Sequence, residues 1–282
     1  MNALRLRLRQ SPVSPGAGLR VRVDLRGVTP AAVCPLDAHD AARLTVTQGN
    51  RPVALGEFFD VSIERRDAAA TLLVLEGDLA GMDRIGFGMN EGVLRVEGNA
   101  GDYTGCAMSG GDLSVSGNAG DFAAAEMAGG HVEIGGDCGD FAAASLPGSI
   151  DGMRGGTLTV RGSAGARLAD RMRRGTVVVF GSAREYAASR MVAGTLAIAG
   201  DCGGYLGYGM RRGTVLCLGN HPAASSTFAA THHDIGVFWS LLRRHLAAAG
   251  GPFARLPASA PRRFAGDLAA DGKGELLWFD PS

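Results

Sequence analysis

The sequence predicts an all-β fold, a single-stranded right-handed parallel β-helix of about 19 residues per coil, on three observations. First, a five-residue strand ending in glycine recurs about eight times between residues 71 and 219. Six copies read VLRVEGNAGDY (93–103), DLSVSGNAGDF (112–122), HVEIGGDCGDF (131–141), TLTVRGSAGAR (157–167), TVVVFGSAREY (176–186) and TLAIAGDCGGY (195–205); LLVLEG (72–77) precedes them and TVLCLG (214–219) follows. Second, the strand-ending glycines from Gly98 through Gly117, Gly136, Gly162, Gly181 and Gly200 to Gly219 step by 19 residues, broken once by 26. Third, Met89, Met108, Met127, Met153, Met172, Met191 and Met210 keep the same steps, each with a glycine three residues later. Two markers in one register indicate a repeat architecture. Each unit is too short for a strand plus a helix and suits one coil, whose corners call for positive φ and hence glycine.

The elements follow in order, over an N-terminal cap (1–70), the β-helix (71–219) and a C-terminal helix and tail (220–282). Residues 4–9 (LRLRLR) and 19–25 (LRVRVDL) alternate as two strands and read as a hairpin across a Pro/Gly loop. Thr29-Pro30 opens a short helix toward Leu44, since proline suits the first helical turn. LTVTQGN (44–50) is a strand entering a turn, followed by a second strand and Phe58-Phe59. This segment is expected to close the exposed edge of the first coil.

Within the coils, the second strand position is apolar from Leu73 to Val215 and the fourth from Leu75 to Cys217. Both therefore face inward on a period-two strand. Tyr103, Phe122, Phe141, Arg167, Tyr186 and Tyr205 form an aromatic column with one departure. Seven extra residues around LPGSIDG (146–152) bulge from one face as a loop and contact site. The third and fifth strand positions start polar and turn apolar at Val178, Phe180, Leu216 and Leu218. That strip needs a cover. The expected cover is a helix from Thr231, as N-cap, to Ala249, presenting Ile235, Phe238, Trp239, Leu242 and Leu246; another polypeptide of an assembly is the second choice. GELLWF (274–279) is a last strand.

Composition narrows the function. Equal numbers of basic and acidic residues, 28 of each, give no net pull toward nucleic acid or membrane. The alternating start MNALRLRLRQ lacks a signal-peptide core and no apolar run spans a bilayer, so a cytoplasmic location is expected. Cys34, Cys106, Cys138, Cys202 and Cys217 form no CxxC pair. Cys138 and Cys202 share a column but stand three coils apart, on the order of 14 Å at the strand spacing, so reduced buried thiols are expected. His232, His233 and Asp234 read as a helix start rather than a metal site, and no GxSxG, HExxH, P-loop or paired-carboxylate motif occurs. No catalytic or metal residues are therefore assigned. Charge is uneven along the repeats: thirteen acids against two arginines over 71–152, then ten arginines against three acids over 153–213. The basic end suits an anionic ligand or partner, or is a solvated surface. Its candidate binding residues are Arg167, Arg171, Arg173, Arg174, Arg211 and Arg212.

The G-(N/D/S)-x-G and M-x-x-G coils, the N-terminal strands with TQGN and the tail FAGDLAADGKGELL (264–277) resemble the C subunits of formylmethanofuran dehydrogenases and their homologues in the formyltransferase/hydrolase complexes of methylotrophic bacteria. The resemblance covers nearly the whole chain; Arg184, where most coils have the second turn glycine, departs from it. The coils alone are also similar to the C-terminal domain of the glutamate synthase large subunit. The resemblance implies a non-catalytic scaffold beside an amidohydrolase component, a molybdopterin-enzyme-like component and, in the bacterial complex, a formyltransferase component. These are the A, B and D subunits of that assembly. There a formyl group passes from a tetrahydromethanopterin carrier to a methanofuran-type cofactor and leaves as formate. The arginines would then hold that cofactor's glutamate-rich tail or dock an acidic partner. Arg- and Ala-rich composition with a single lysine, Lys273, favours the bacterial complex over the dehydrogenase. The readings of another class are a glutamate synthase-type domain and an exported carbohydrate enzyme using Asp/Arg clusters.

Overall fold

The recurring strands lie side by side in one sheet, and segments from both chain ends join them. The computed structural model describes residues 2–9, 22–65 and 71–279. The N-terminal elements are β1 (Asn2–Leu8), β2 (Val23–Asp24), α1 (Pro30–Val33), α2 (Ala38–Ala42), β3 (Thr45–Gln48), β4 (Arg51–Ala54) and β5 (Phe59–Arg65). The repeats contribute β6 (Leu72–Glu76), a two-residue β7 (Met82–Asp83), β8 (Val93–Glu97), β9 (Ser109–Val115), β10 (Gly129–Ile134), β11 (Arg154–Val160), β12 (Arg174–Val179), β13 (Thr195–Ile198) and β14 (Thr214–Cys217). After them come β15 (Ala229–Thr231), α3 (Gly236–Ala247), β16 (Arg262–Gly266) and β17 (Gly274–Trp278). The protein is predominantly β: a thirteen-stranded, mostly parallel sheet runs β15-β16-β17-β14-β13-β12-β11-β10-β9-β8-β6-β1-β5, beside a four-stranded sheet β4-β3-β2-β7.

Register explains why the repeats stack. Leu73, Leu94, Leu113, Val132, Leu158, Val177, Leu196 and Val215 pair in one row. Leu4 of β1 and Leu276 of β17 extend the row at either end. The row two residues on runs from Leu6 through Leu75 to Cys217 and Trp278. These side chains and all seven repeat methionines are buried in one core. A second line of bridges joins Ala119, Cys138, Ala164, Ala183 and Cys202 of successive repeats.

The two glycine columns are there for different reasons. Gly111, Gly130, Gly156, Gly175, Gly194 and Gly213 of the methionine marker have φ between +79° and +111°, the left-handed region. From Gly117 on, the strand-ending glycines are not in that region. A Cβ on Gly162, Gly181 or Gly200 would sit 2.6–2.7 Å from the backbone of the glycine one repeat earlier. The expectation that positive φ falls to glycine also meets an exception. Tyr103, Phe122, Phe141, Arg167, Tyr186 and Tyr205 all adopt φ of 58–63°. Their rings stack at 4.6–5.0 Å from Tyr103 to Phe141 and from Tyr186 to Tyr205, and the N–H groups of the first five bond to the next repeat. Stacking and satisfied backbone groups offset the conformational strain.

Several expectations need correction. β1 does not form a hairpin with residues 19–25; it lies between β5, antiparallel, and β6, parallel. β2 belongs to the smaller sheet, while the loop and residues 19–21 fall outside the described residues. The expected single helix toward Leu44 is broken into α1 and α2, and Asp37 caps the second by accepting the Asp40 N–H at 2.8 Å. Thr231 is no helix cap: it pairs with Arg263 in β15, and α3 starts after Ile235. Cys202 and Cys217 are joined as a disulfide, so only Cys34, Cys106 and Cys138 are free and buried. The partner of Cys202 sits in the strand row of the next repeat, not in its own column.

α3 covers the apolar strip, as expected. Val178, Ala197, Leu216 and Leu277 form a second core with Trp239, Leu242, Leu246, Phe253 and Leu256, and Phe180 and Leu218 pack at its margin. Phe238, expected in this contact, is 39% exposed instead. Among the described residues no helix is long and apolar enough to cross a membrane.

Candidate functional site

The methionine marker sets the basic site. Between each methionine and its glycine lie two residues off the buried row, exposed or half-buried: Asn90-Glu91, Ser109-Gly110, Ala128-Gly129, Arg154-Gly155, Arg173-Arg174, Val192-Ala193 and Arg211-Arg212. Stacking puts these pairs on one line, and the last four make a cleft of about 530 Å³ lined by Arg154, Arg173, Arg174, Val192, Ala193, Arg211 and Arg212. The Val192-Ala193 pair is its recessed floor, with two arginines on either side one repeat away, about 4.8 Å along the stack. Arg173 pairs with Asp151 of the insertion. Among the described residues, Arg154, Arg174, Arg211 and Arg212 have no acidic partner. Five guanidinium groups on an exposed, partly apolar concave surface suit a ligand with several carboxylates, which they engage as planar forks.

The sequence-predicted arginines thus divide. Arg173, Arg174, Arg211 and Arg212 share the cleft. Arg167 instead occupies the aromatic column, 5.8 Å from the Phe141 ring centroid and 4.9 Å from that of Tyr186. Arg171 lines a separate hollow of about 210 Å³ with Phe122, Phe141, Asp170 and Arg190, where the insertion folds over. Arg154 was missed, although its place after Met153 matches that of Arg173 after Met172.

The acidic half has a structural use for much of its charge. Asn118 Oδ1 accepts the Asp137 N–H at 2.8 Å, and Asp137 Oδ1 accepts the Ser163 N–H at 2.7 Å. Ser163 and Ser182 continue the ladder to Asp201 and Asn220. A parallel ladder runs from Asp83 through Asp102, Asp121 and Asp140 to the Ala166 N–H. These carboxylates satisfy backbone donors between repeats. The ladder also accounts for Arg184. A Cβ on Gly120, Gly139 or Gly165 would lie 2.0–2.2 Å from the preceding aspartate Oδ1. Before Arg184 that aspartate is replaced by Ala166, which leaves room, and the Arg184 N–H still bonds to Ala164 O at 3.2 Å.

His232 and His233 are exposed ahead of α3, and the His221 ring stacks on Trp278 at 4.1 Å. The candidate cation cluster among the described residues, Asp37, His39 and Asp40, is exposed, and Asp37 already caps α2.

No family model matches the chain. It is 41% identical over 101 residues to the C subunit of the formyltransferase/hydrolase complex of Methylorubrum extorquens, covering 36% of this chain and 33% of that protein. It is 32% identical over 88 residues to the C subunit of a molybdenum-containing formylmethanofuran dehydrogenase of Methanosarcina barkeri, covering 31% of this chain and 29% of that one. These alignments span about a third or less of either curated relative. The structural likeness is longer. A chain of the formyltransferase/hydrolase complex of Methylorubrum extorquens, solved with methylofuran, superposes with a TM-score of 0.86 at 40% identity, over 98% of this chain and 100% of that one. Identity sustained over whole chains, with the C subunit as the matching curated component, establishes that this protein belongs to the family of C subunits found in formyltransferase/hydrolase complexes and in the related formylmethanofuran dehydrogenases.

Proposed function

We propose that this chain is the non-catalytic scaffold subunit of a cytoplasmic formyltransferase/hydrolase complex. Its partners are the amidohydrolase, the molybdopterin-enzyme-like component and the formyltransferase. The complex moves a formyl group from a tetrahydromethanopterin carrier to a methanofuran-type cofactor and releases formate. The observation that carries this reading is the end-to-end likeness to a chain of a complex solved with methylofuran. The architecture fits a scaffold: the 19-residue register supports a single right-handed parallel β-helix over 71–219, flanked by the cap 1–70 and the segment 220–282. Stacked repeats give a long rigid surface on which other subunits can be ordered.

Within this reading the arginine cleft holds a glutamate-rich cofactor tail or docks an acidic partner, through Arg173, Arg174, Arg211 and Arg212 with Arg154, while Arg167 and Arg171 stand outside it. Purification of the tagged chain from its source tests the proposal. Co-purification of all three partners, with formyl transfer and hydrolysis, is expected, and isolated chain should show no turnover. A lone chain that turns over formyl substrates would overturn the scaffold role. Co-purification without a formyltransferase, and with molybdenum or tungsten bound to the assembly, would select the dehydrogenase, the reading supported by the 32% identical relative. Charge reversal at Arg173 and Arg174 should weaken binding of a polyglutamate probe more at low salt than at high.

A further inference from the structure

α3 is apolar on two faces, and this chain covers one of them. Trp239, Leu242 and Leu246 turn inward and are 1–7% exposed. On the other side Val237 is 79% exposed, Leu241 58% and Phe238 39%. Val237 and Leu241 are four residues apart and so adjacent on the helix surface, with Phe238 beside them. Exposed apolar strips of this kind mark interaction sites. The strip is also held rigidly. The Trp239 indole donates to Pro257 O at 3.0 Å, and His245 Nε2 lies 3.2 Å from Thr176 Oγ1.

Charge selects what covers it. The last turns of α3 carry Arg243, Arg244 and His245, and the helix contains no acid. Among the described residues, Arg243 and Arg244 have no ion-pair partner. A second copy of this chain, packed helix to helix, would offer those arginines no acid from α3 itself, and Asp234 just before it already accepts the Gly236 N–H at 2.7 Å.

We propose that Val237, Phe238 and Leu241 anchor another polypeptide of the complex, through a surface apolar at its centre and rimmed by carboxylates that meet Arg243 and Arg244. The proposal rests on the hetero-oligomeric reading above. It is tested by co-expressing the tagged chain with its partners and measuring assembly by native mass spectrometry, for the unsubstituted chain, Val237→Asp/Leu241→Asp and Arg243→Glu/Arg244→Glu. Because these side chains touch solvent, the isolated variants should keep the circular dichroism spectrum and melting temperature of the parent. The apolar pair should weaken partner retention at least tenfold, and the charge pair should do so more at 50 mM than at 500 mM salt. Retention within twofold for both variants, with the parent assembled, overturns this proposal alone. Failure of the parent to assemble overturns it together with the complex reading. Self-association of the isolated chain that the apolar pair abolishes would assign the strip to a second copy and likewise overturn it.

Discussion

Replacing Trp239 with alanine tests whether α3 is docked by energy or only by proximity. Trp239 is 1% exposed, sits in the second core with Val178, Leu216 and Phe253, packs edge-on to Phe279 at 5.7 Å and donates to Pro257 O. A buried tryptophan removes about 150–250 Å² from water, which at about 25 cal/mol per Å² is roughly 4–6 kcal/mol as an upper bound. Large-to-alanine changes in cores cost about 3–5 kcal/mol, and the lost indole hydrogen bond leaves Pro257 O to water at a cost of about 1 kcal/mol. A loss of about 4 kcal/mol is therefore expected. It should be local, because stacked repeats bond mainly to their neighbours. α3 and the strip it covers would open, while β8–β10, several repeats away, hold. Hydrogen exchange followed by mass spectrometry reads this directly: about 1.4 kcal/mol per tenfold makes the α3 amides exchange on the order of a thousandfold faster. Less than tenfold faster exchange in α3 would refute the energetic docking, and equal loss of protection in β8–β10 would refute its locality.

Three further outcomes follow from other sites. Gly200→Ala places a Cβ 2.6 Å from the Gly181 backbone and should cost about 2–3 kcal/mol by urea titration, whereas Gly204→Ala meets nothing within 4 Å and should stay within about 0.5 kcal/mol. Asp137→Ala removes the acceptor of the Ser163 N–H and should cost about 1 kcal/mol; Asp137→Asn keeps an acceptor and should cost less than half of that, as Asn118 already fills the same place one repeat earlier. Burial, with Glu126 adding to it, pushes the Cys106 thiol up to about 12, and burial does the same at Cys138. Both folded values lie above the ordinary 9.0, so unfolded chain releases these protons first as pH rises. Stability from this source is thus complete below pH 9 and lost progressively toward pH 12, at up to about 1.4 kcal/mol per pH unit for each thiol. Urea midpoints from pH 8 to pH 11 should fall, and Cys106→Ala/Cys138→Ala should flatten the decline; an unchanged slope would refute it.

Most of the stack was legible because a strand's period and a repeat's period report on neighbouring residues. The second and fourth strand positions from Leu73 to Cys217 could be called buried without any coordinates, and they are. The apolar drift at Val178, Phe180, Leu216 and Leu218 likewise announced a cover, and α3 was the nearest amphipathic segment. The arginine line was only half read. Arg154 carried the methionine marker's own signal, but Arg167 looked the same by charge and was placed by the aromatic column.

Tertiary packing alone decided what no period encodes. LRLRLR alternates equally well in a hairpin or in the sheet. β1 entered between β5 and β6 because Leu4 and Leu6 continue two buried rows that would otherwise end open. Thr231 had the chemistry of a helix cap, yet it pairs with Arg263 in the sheet, and α3 starts beyond Ile235. Cys202 and Cys217 belong to different columns, so their meeting depends on how one repeat's turn overhangs the next repeat's strand. A repeating sequence specifies each unit against the unit before it. Where the flanking segments settle is chosen by the edges and apolar faces that the finished stack leaves exposed, and those exist only once the chain has folded.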